Sequence, residues 1–312
     1  MKKSEMRRKV EEMLGKLWEN GVRFAIPEDK ILDEDEASRR MVENDYRTGR
    51  KVILENYNPE ELKEIAENTK RFYDILISSK IMSDEGRLIF FAFLISLAAE
   101  VNKRIVIRQC EYLIFIGHRL EKGEIIVEGD GGAWVGQEMK GGRVIIKGNA
   151  SIVGKRMSSG EIVINGNALS EETGYEMSGG RIIVNGNVDN VGTGMTGGKI
   201  IIHGNVTGSV GSGMKDGEIT VNGNVTGSLY NGVMDVFGGR VHVKGDVKEV
   251  TDLRGGEVVV EGDVLGMVGY NRGGKIVIKG KVKGGVVEYV GGTVIVESEK
   301  RKYTKHGVEV MK

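Results

Sequence analysis

The chain has 312 residues with 45 basic and 45 acidic side chains, so its formal net charge is zero and no global field draws it to nucleic acid or an anionic membrane. Its 48 glycines beside 2 prolines exclude collagen and disordered Pro/Gly tracts, and point to many tight corners in an ordered fold. The single cysteine, Cys110, excludes a disulfide framework and a thiolate metal cluster, and one thiol fits a reducing compartment.

In chain order, "MKKSEMRRKVEEMLGKL" is charged throughout, lacks the apolar core of a signal peptide, and predicts a helix over Lys3–Glu19. Residues 28–36, "EDKILDEDE", read as a solvated acidic loop, and "RRMVENDYRTGR" just after them allows another helix. Asn58-Pro59-Glu60-Glu61 supplies a cap, a first-position proline and first-turn acids. Leu62, Ile65, Phe72 and Leu76 then form an apolar stripe to about Ser79. Ser83-Asp84-Glu85 opens a helix to about Lys103 whose run "LIFFAFLISLAA" is too short to span a bilayer and so predicts burial. With no leader and no span, the expectation is a soluble, cytoplasmic protein with no membrane partner. Glutamine only at Gln109 and Gln137, amid abundant charge, is compatible with a thermophile.

After "RIVIRQCEYLIFIG" (Arg104–Gly117), which reads as strands entering a solenoid, one sentence repeats: "GEIIVEGD", "GRVIIKGN", "GEIVINGN", "GRIIVNGN" and so on to the imperfect "GTVIVESE". Its leading glycines are Gly123, Gly142, Gly160, Gly180, Gly198, Gly217, Gly239, Gly256, Gly274 and Gly292, spaced 17–22 residues apart with a period near 19. Each short alternating core between glycines is a strand, and stacked strands give a mainly β chain, a parallel β-helix of about ten turns. The glycines are structural corners, needed for φ > 0 or close backbone approach. The domain organisation expected is a helical region over residues 1–103, a β-helix over 104–297 and a charged tail over 298–312.

Stacking predicts rows. Ile or Val always fills the second and fourth strand positions, which face inward. Met139, Met157, Met177, Met195 and Met214 recur three residues before the leading glycine, with Leu253 and Tyr289 in that place later; they read as an interior stack rather than a metal or flavin site. Asp130, Asn149, Asn167, Asn187, Asn205, Asn224, Asp246 and Asp263 follow the closing glycine, where stacked side chains can hydrogen-bond from turn to turn. Calcium is the alternative for that row, but the regular nonapeptide Asp pattern is absent. Glu124, Arg143, Glu161, Arg181, Lys199, Glu218, Arg240, Glu257 and Lys275 alternate in sign with one lapse, as a ladder of neighbours should. The middle strand position should point outward, yet it holds Ile126, Ile145, Val163, Ile183, Ile201, Val259, Val277 and Ile295, broken by Thr220 and His242. Such a stripe is a candidate interface, to be covered by the helical region, another protomer or a different protein.

Chemistry is sparse. Gly192, Gly194 and Gly197 spell the dinucleotide fingerprint G-x-G-x-x-G, but another strand, not a helix, follows them, so the match is accidental. His118, His203, His242 and His306 do not share a register for a metal and read as surface or interface residues. No nucleophile elbow, zinc motif, P-loop or cysteine cluster occurs, so no catalytic, cofactor-binding or metal residue is nominated.

The repeated "GxxMxGGxIxVxGN" sentence, as in "GTGMTGGKIIIHGNV", resembles the GXGXG domain family over about residues 117–297. That family includes the C-terminal domain of the large chain of glutamate synthase and one of the subunits of formylmethanofuran dehydrogenase. The resemblance implies a right-handed parallel β-helix that serves oxidoreductases as a scaffold, binds no cofactor and has no catalytic residue to carry over. The expected function is therefore a non-catalytic scaffold or subunit whose partner is a catalytic subunit or a further copy of itself. The alternatives are a β-helix carbohydrate-active enzyme and a self-assembling structural protein.

Overall fold

The computed structural model describes residues 2–22, 36–78, 84–108, 113–169, 172–227, 236–286 and 291–311. The helices come first: α1 Lys3–Glu19, α2 Glu36–Asn56, α3 Pro59–Glu67, α4 Thr69–Ile77 and α5 Asp84–Asn102. The strands begin with β1 Arg104–Ile107, β2 Glu124–Val127, β3 Ala133–Val135, β4 Lys140–Ile146, β5 Ser151–Val153 and β6 Ser159–Ile164. They continue through β7 Arg181–Val184, β8 Thr196–Ile202, β9 Asp216–Val221, β10 Arg240–Val243, β11 Val250–Thr251 and β12 Glu257–Val260. The last are β13 Val268–Gly269, β14 Lys275–Ile278, β15 Thr293–Val296, β16 Arg301–Thr304 and β17 Gly307–Val310.

Asn58 starts α3 with a full capping box, its side chain accepting from the Glu61 N–H while Glu61 reaches back. The single helix expected from Asn58 to Ser79 is two helices. Asn68 leaves helical geometry at ψ 44°, and its amide donates 2.7 Å to the Glu64 carbonyl, closing α3 before the β-branched Thr69 begins α4. Phe72 of α4 stacks on Phe91 of α5 at 5.2 Å. Phe90, Phe91, Leu94 and Ile95 are fully buried, so the apolar run of α5 is the spine of the helical region. No helix among the described residues is long and apolar enough to cross a membrane.

The rest is a parallel β-solenoid of about ten turns. Strands β1, β2, β4, β6, β7, β8, β9, β10, β12, β14 and β15 lie side by side in that order, all parallel, which at ~4.8 Å per rung makes a rod of roughly 50 Å. Strand β1 does more than lead in: Arg104 pairs in register with Glu124, and Lys103 stands in for the leading glycine at φ +68°. Two narrower ladders close the cross-section. One runs Ala150, Ala168, Val188, Val206, Val225 and onward; another runs Val153, Thr173, Val191 and Val210.

Inward positions such as Val144, Ile162, Ile182, Ile200 and Ile219 are fully buried, each in register above the last. The methionine row is an interior column from Leu120 through Met139–Met214 to Val236 and Leu253, all nearly or fully buried. Its last described member is Asn271, a buried amide that donates 3.3 Å to the Thr293 carbonyl. Tyr289, Cys110 and residues 28–35 of the acidic segment lie outside the described residues.

The two ends of each strand need glycine for different reasons. Gly198, a leading glycine, has φ +88°, and a Cβ there would sit 2.7 Å from Met177 Cε and 2.9 Å from the Gly180 carbonyl oxygen. Gly204, a closing glycine, has ordinary φ but leaves room for Asn187 Oδ1, which a Cβ would meet at 2.6 Å. Gly292 departs from the other leading glycines: it lacks positive φ and serves close approach alone, since a Cβ there would lie 2.3 Å from the Gly274 oxygen.

Asn187 Oδ1 belongs to an unbroken ladder. Each Asn or Asp oxygen accepts the backbone N–H of its counterpart one turn on, from Asp130 to Asn149 (2.6 Å) through to Asp263 and Lys281 (2.9 Å). Only Oδ1 is used, which is why Asp and Asn interchange along it. The charged row also pairs as its alternation predicts: Arg143 bridges Glu124 (3.3 Å) and Glu161 (2.8 Å), and Glu257 bridges Arg240 (2.6 Å) and Lys275 (3.0 Å). At the lapse, Arg181 turns to Glu161 and Lys199 to Glu218.

The tail forms a hairpin: β16 runs antiparallel to β15 and β17 antiparallel to β16, covering the last rung's edge. At the other end α3 and α5 pack on β1, and α5 on β2. Gly123 permits that seam, since a Cβ there would lie 2.3 Å from the Ala99 carbonyl oxygen of α5.

Candidate functional site

The expected site residues are distributed along the rod. The corner glycines are architectural, as above. Of the outward row, Ile126 and Val277 are buried, while Ile145, Val163, Ile183 and Ile201, and beyond the break at Thr220 and His242 also Val259 and Ile295, are half-buried. Among the described residues the helices pack on β1 and β2, the end of the rod where Ile126 lies. Gly192 and Gly194 of the apparent nucleotide fingerprint are left-handed corners at φ +74° and +66°, and Gly197 runs into β8.

A different place gathers chemistry. Where α2 and α5 meet the first turns of the solenoid, a cavity of about 460 Å³ opens, within the range of small-molecule sites. Helix α2 brings Tyr46, Arg47 and Arg50 to it, α5 brings Phe93, Leu97 and Glu100, and the solenoid brings His118, Arg119 and Lys140.

His118, read from the sequence as a surface or interface residue, is buried, 5% exposed, where the helices meet the solenoid. Its ring meets Tyr46 and Phe115 edge to face at 5.5 and 5.7 Å. Nδ1 donates 3.0 Å to the Gln137 carbonyl, which also accepts from the Arg119 N–H, so the proton sits on Nδ1 and Nε2 keeps its lone pair. Burial, chiefly, pushes the imidazole down to about 4, against the opposing field of Glu138, so it is neutral at pH 7. The same burial raises the Tyr46 hydroxyl well above its ordinary value.

Around them the charges are paired. Arg119 grips Glu138 through Nε (2.8 Å) and Nη2 (2.7 Å) and lies 5.2 Å over the Tyr46 ring. Burial pushes the Glu138 carboxyl up, but the fields of His118 and Arg119 with the Arg119 hydrogen bond hold it below its usual range. Arg50 pairs with the buried Glu100, whose other oxygen accepts the Glu121 N–H at 3.2 Å. Arg47, at the exposed side, donates to the Asn44 amide oxygen at 3.2 Å and forms no ion pair among the described residues. The site can therefore hold a small polar molecule between an aromatic wall, guanidinium groups and one neutral imidazole acceptor.

Part of this was readable. The residue just before the methionine column adopts positive φ in turn after turn, at Arg119, Glu138, Arg156, Glu176 and Gly194. Its charges alternate, pairing Arg119 with Glu138 and Arg156 with Glu176 (2.8 Å), a second ladder whose first rung lines the cavity. No periodicity announces Tyr46, Arg47 or Arg50. Two further imidazoles are ladder members: His203 accepts from the Asn222 amide at 2.8 Å, and His242 donates to Glu261 at 3.0 Å. Among the described residues no three His, Cys, Asp or Glu side chains are placed to hold a metal ion. Compared with known proteins, the chain matches no family model and no curated protein.

Proposed function

We propose that this protein is a non-catalytic scaffold, a rigid β-solenoid subunit that docks to the catalytic part of an oxidoreductase complex of the glutamate synthase or formylmethanofuran dehydrogenase kind. The observation that carries the reading is how the rod's surface is used. Its carboxylates, amides and cations are committed to ladders between turns, which stiffen the rod and leave few groups for chemistry. What remains available along one side is the half-buried line Ile145, Val163, Ile183 and Ile201, four successive rungs in register whose apolar side chains suit a protein surface. The repeat sentence that resembles the GXGXG domains supports the oxidoreductase assignment.

The test is purification of the tagged chain from its native cell under mild conditions, followed by mass determination and cofactor spectra. The expected result is a complex with a larger chain carrying flavin or iron–sulfur absorption, disrupted by Ile183→Lys with Ile201→Lys. Recovery of the chain by itself, as monomer or as a pure homo-oligomer, overturns the assignment.

A further inference from the structure

Independently of the scaffold reading, we infer that the seam cavity is a binding site for a small hydroxylated organic anion, its anionic oxygens held by Arg47 and its hydroxyl donated to His118 Nε2. Three features of the cavity lead there. Its size, about 460 Å³, suits a metabolite rather than a polymer. Its cations Arg47, Arg50, Arg119 and Lys140 outnumber the carboxylates Glu100 and Glu121 on its lining and Glu138 beside Arg119, so the cavity favours negative charge. Two of those cations are held by protein carboxylates, Arg50 by Glu100 and Arg119 by Glu138, while Arg47 has only the Asn44 amide among the described residues. A guanidinium so placed presents the fork that carboxylates and phosphates accept.

The imidazole then sets what else the ligand carries. With Nδ1 committed to Gln137 and the ring neutral, Nε2 is an acceptor with no protein donor among the described residues. The ring is nearly buried but Nε2 faces the cavity, so a ligand that displaces solvent from it must replace that hydrogen bond, which a hydroxyl does and a bare methylene does not. Phe93 and Leu97 cover the carbon skeleton between the two polar ends.

The test uses the full-length chain and calorimetric titration with L-malate, glycerol 3-phosphate and succinate at low ionic strength. Malate and glycerol 3-phosphate carry the required hydroxyl beside a carboxylate or a phosphate, and whichever binds more tightly identifies the anionic group; succinate lacks the hydroxyl. The hydroxylated anions are expected to bind about tenfold or more tightly than succinate. Arg47→Gln is expected to weaken all three by at least that factor. Nitrogen-15 spectra of the native chain give a readout that needs no core variant: malate should move the His118 Nε2 resonance and succinate should not. The inference is overturned if neither malate nor glycerol 3-phosphate binds at about 10 mM, if malate and succinate bind alike, or if Arg47→Gln changes nothing.

Discussion

His118 makes the seam between helices and solenoid sensitive to acid, with a size that can be worked out. The unfolded imidazole titrates near 6.5 and the folded one near 4, because charging it would place a cation in a buried ring cage. Between those values the unfolded chain binds the extra proton, so folding stability rises with pH across that window. The contribution is fully present above pH 6.5 and is lost as pH falls towards 4, a total of about 3 kcal/mol, of which about 2 kcal/mol disappears between pH 7 and pH 5. Carboxylates begin to titrate in the same region, so the assay compares the native chain with His118→Gln in urea unfolding at pH 7, 6 and 5, followed by the fluorescence of Trp134, which stacks on Phe115 beside the imidazole. A glutamine amide does not protonate in that range, and the variant is expected to lose about 2 kcal/mol less than the native chain over the interval. Equal losses in both would refute the placement of a neutral, buried imidazole at this seam.

Other parts of the rod give sharper tests of stacking. Asn187→Asp is expected within about 0.5 kcal/mol of the native chain, because only Oδ1 accepts from the Asn205 N–H (2.8 Å), whereas Asn187→Ala removes the acceptor and costs about 1 kcal/mol; equal losses in chemical unfolding would contradict the ladder. Gly198→Ala should cost roughly 2–4 kcal/mol, combining a left-handed residue with contact against fixed backbone at the Gly180 oxygen, and a near-neutral melt would refute that corner. Neighbouring residues should differ by face: Ile182→Ala, fully buried, loses about 2–5 kcal/mol, while Ile183→Ala, half-exposed, loses less than about 2 kcal/mol, and reversal of that order would mean the strand register is shifted by one. Asp263, held below its ordinary range by the Lys281 N–H, contributes stability above its unfolded titration point that fades as pH falls through the folded one; Asp263→Asn should remove that acid sensitivity at the last ladder steps, read by amide exchange of Lys281.

Most of the rod was written into the chain locally. A repeat near nineteen residues places equivalent side chains atop one another, so alternation of Ile and Val, the Asn/Asp row and the alternating charges each report one column, and each column formed where its row indicated. Helix starts were equally local, since Asn58-Pro59-Glu60-Glu61 satisfies its own orphan amides. Where a position broke the repeat, local reading stopped short: Arg104–Ile107 is a rung without a glycine, Asn271 replaces methionine in the interior column, and the tail returns as a hairpin.

The cavity belongs to the other category. His118 has no sequence signal of burial, because what buries it is Tyr46, brought from a helix far away in the chain. Its proton, its lowered affinity for a second proton, and the placing of Arg47 and that ring on one cavity all arise from how one end of the rod docks against α2 and α5. Periodic stacking repeats one environment many times and so is visible in a single chain's spelling. A seam occurs once, between surfaces distant in sequence, and only their packing in three dimensions decides what it holds.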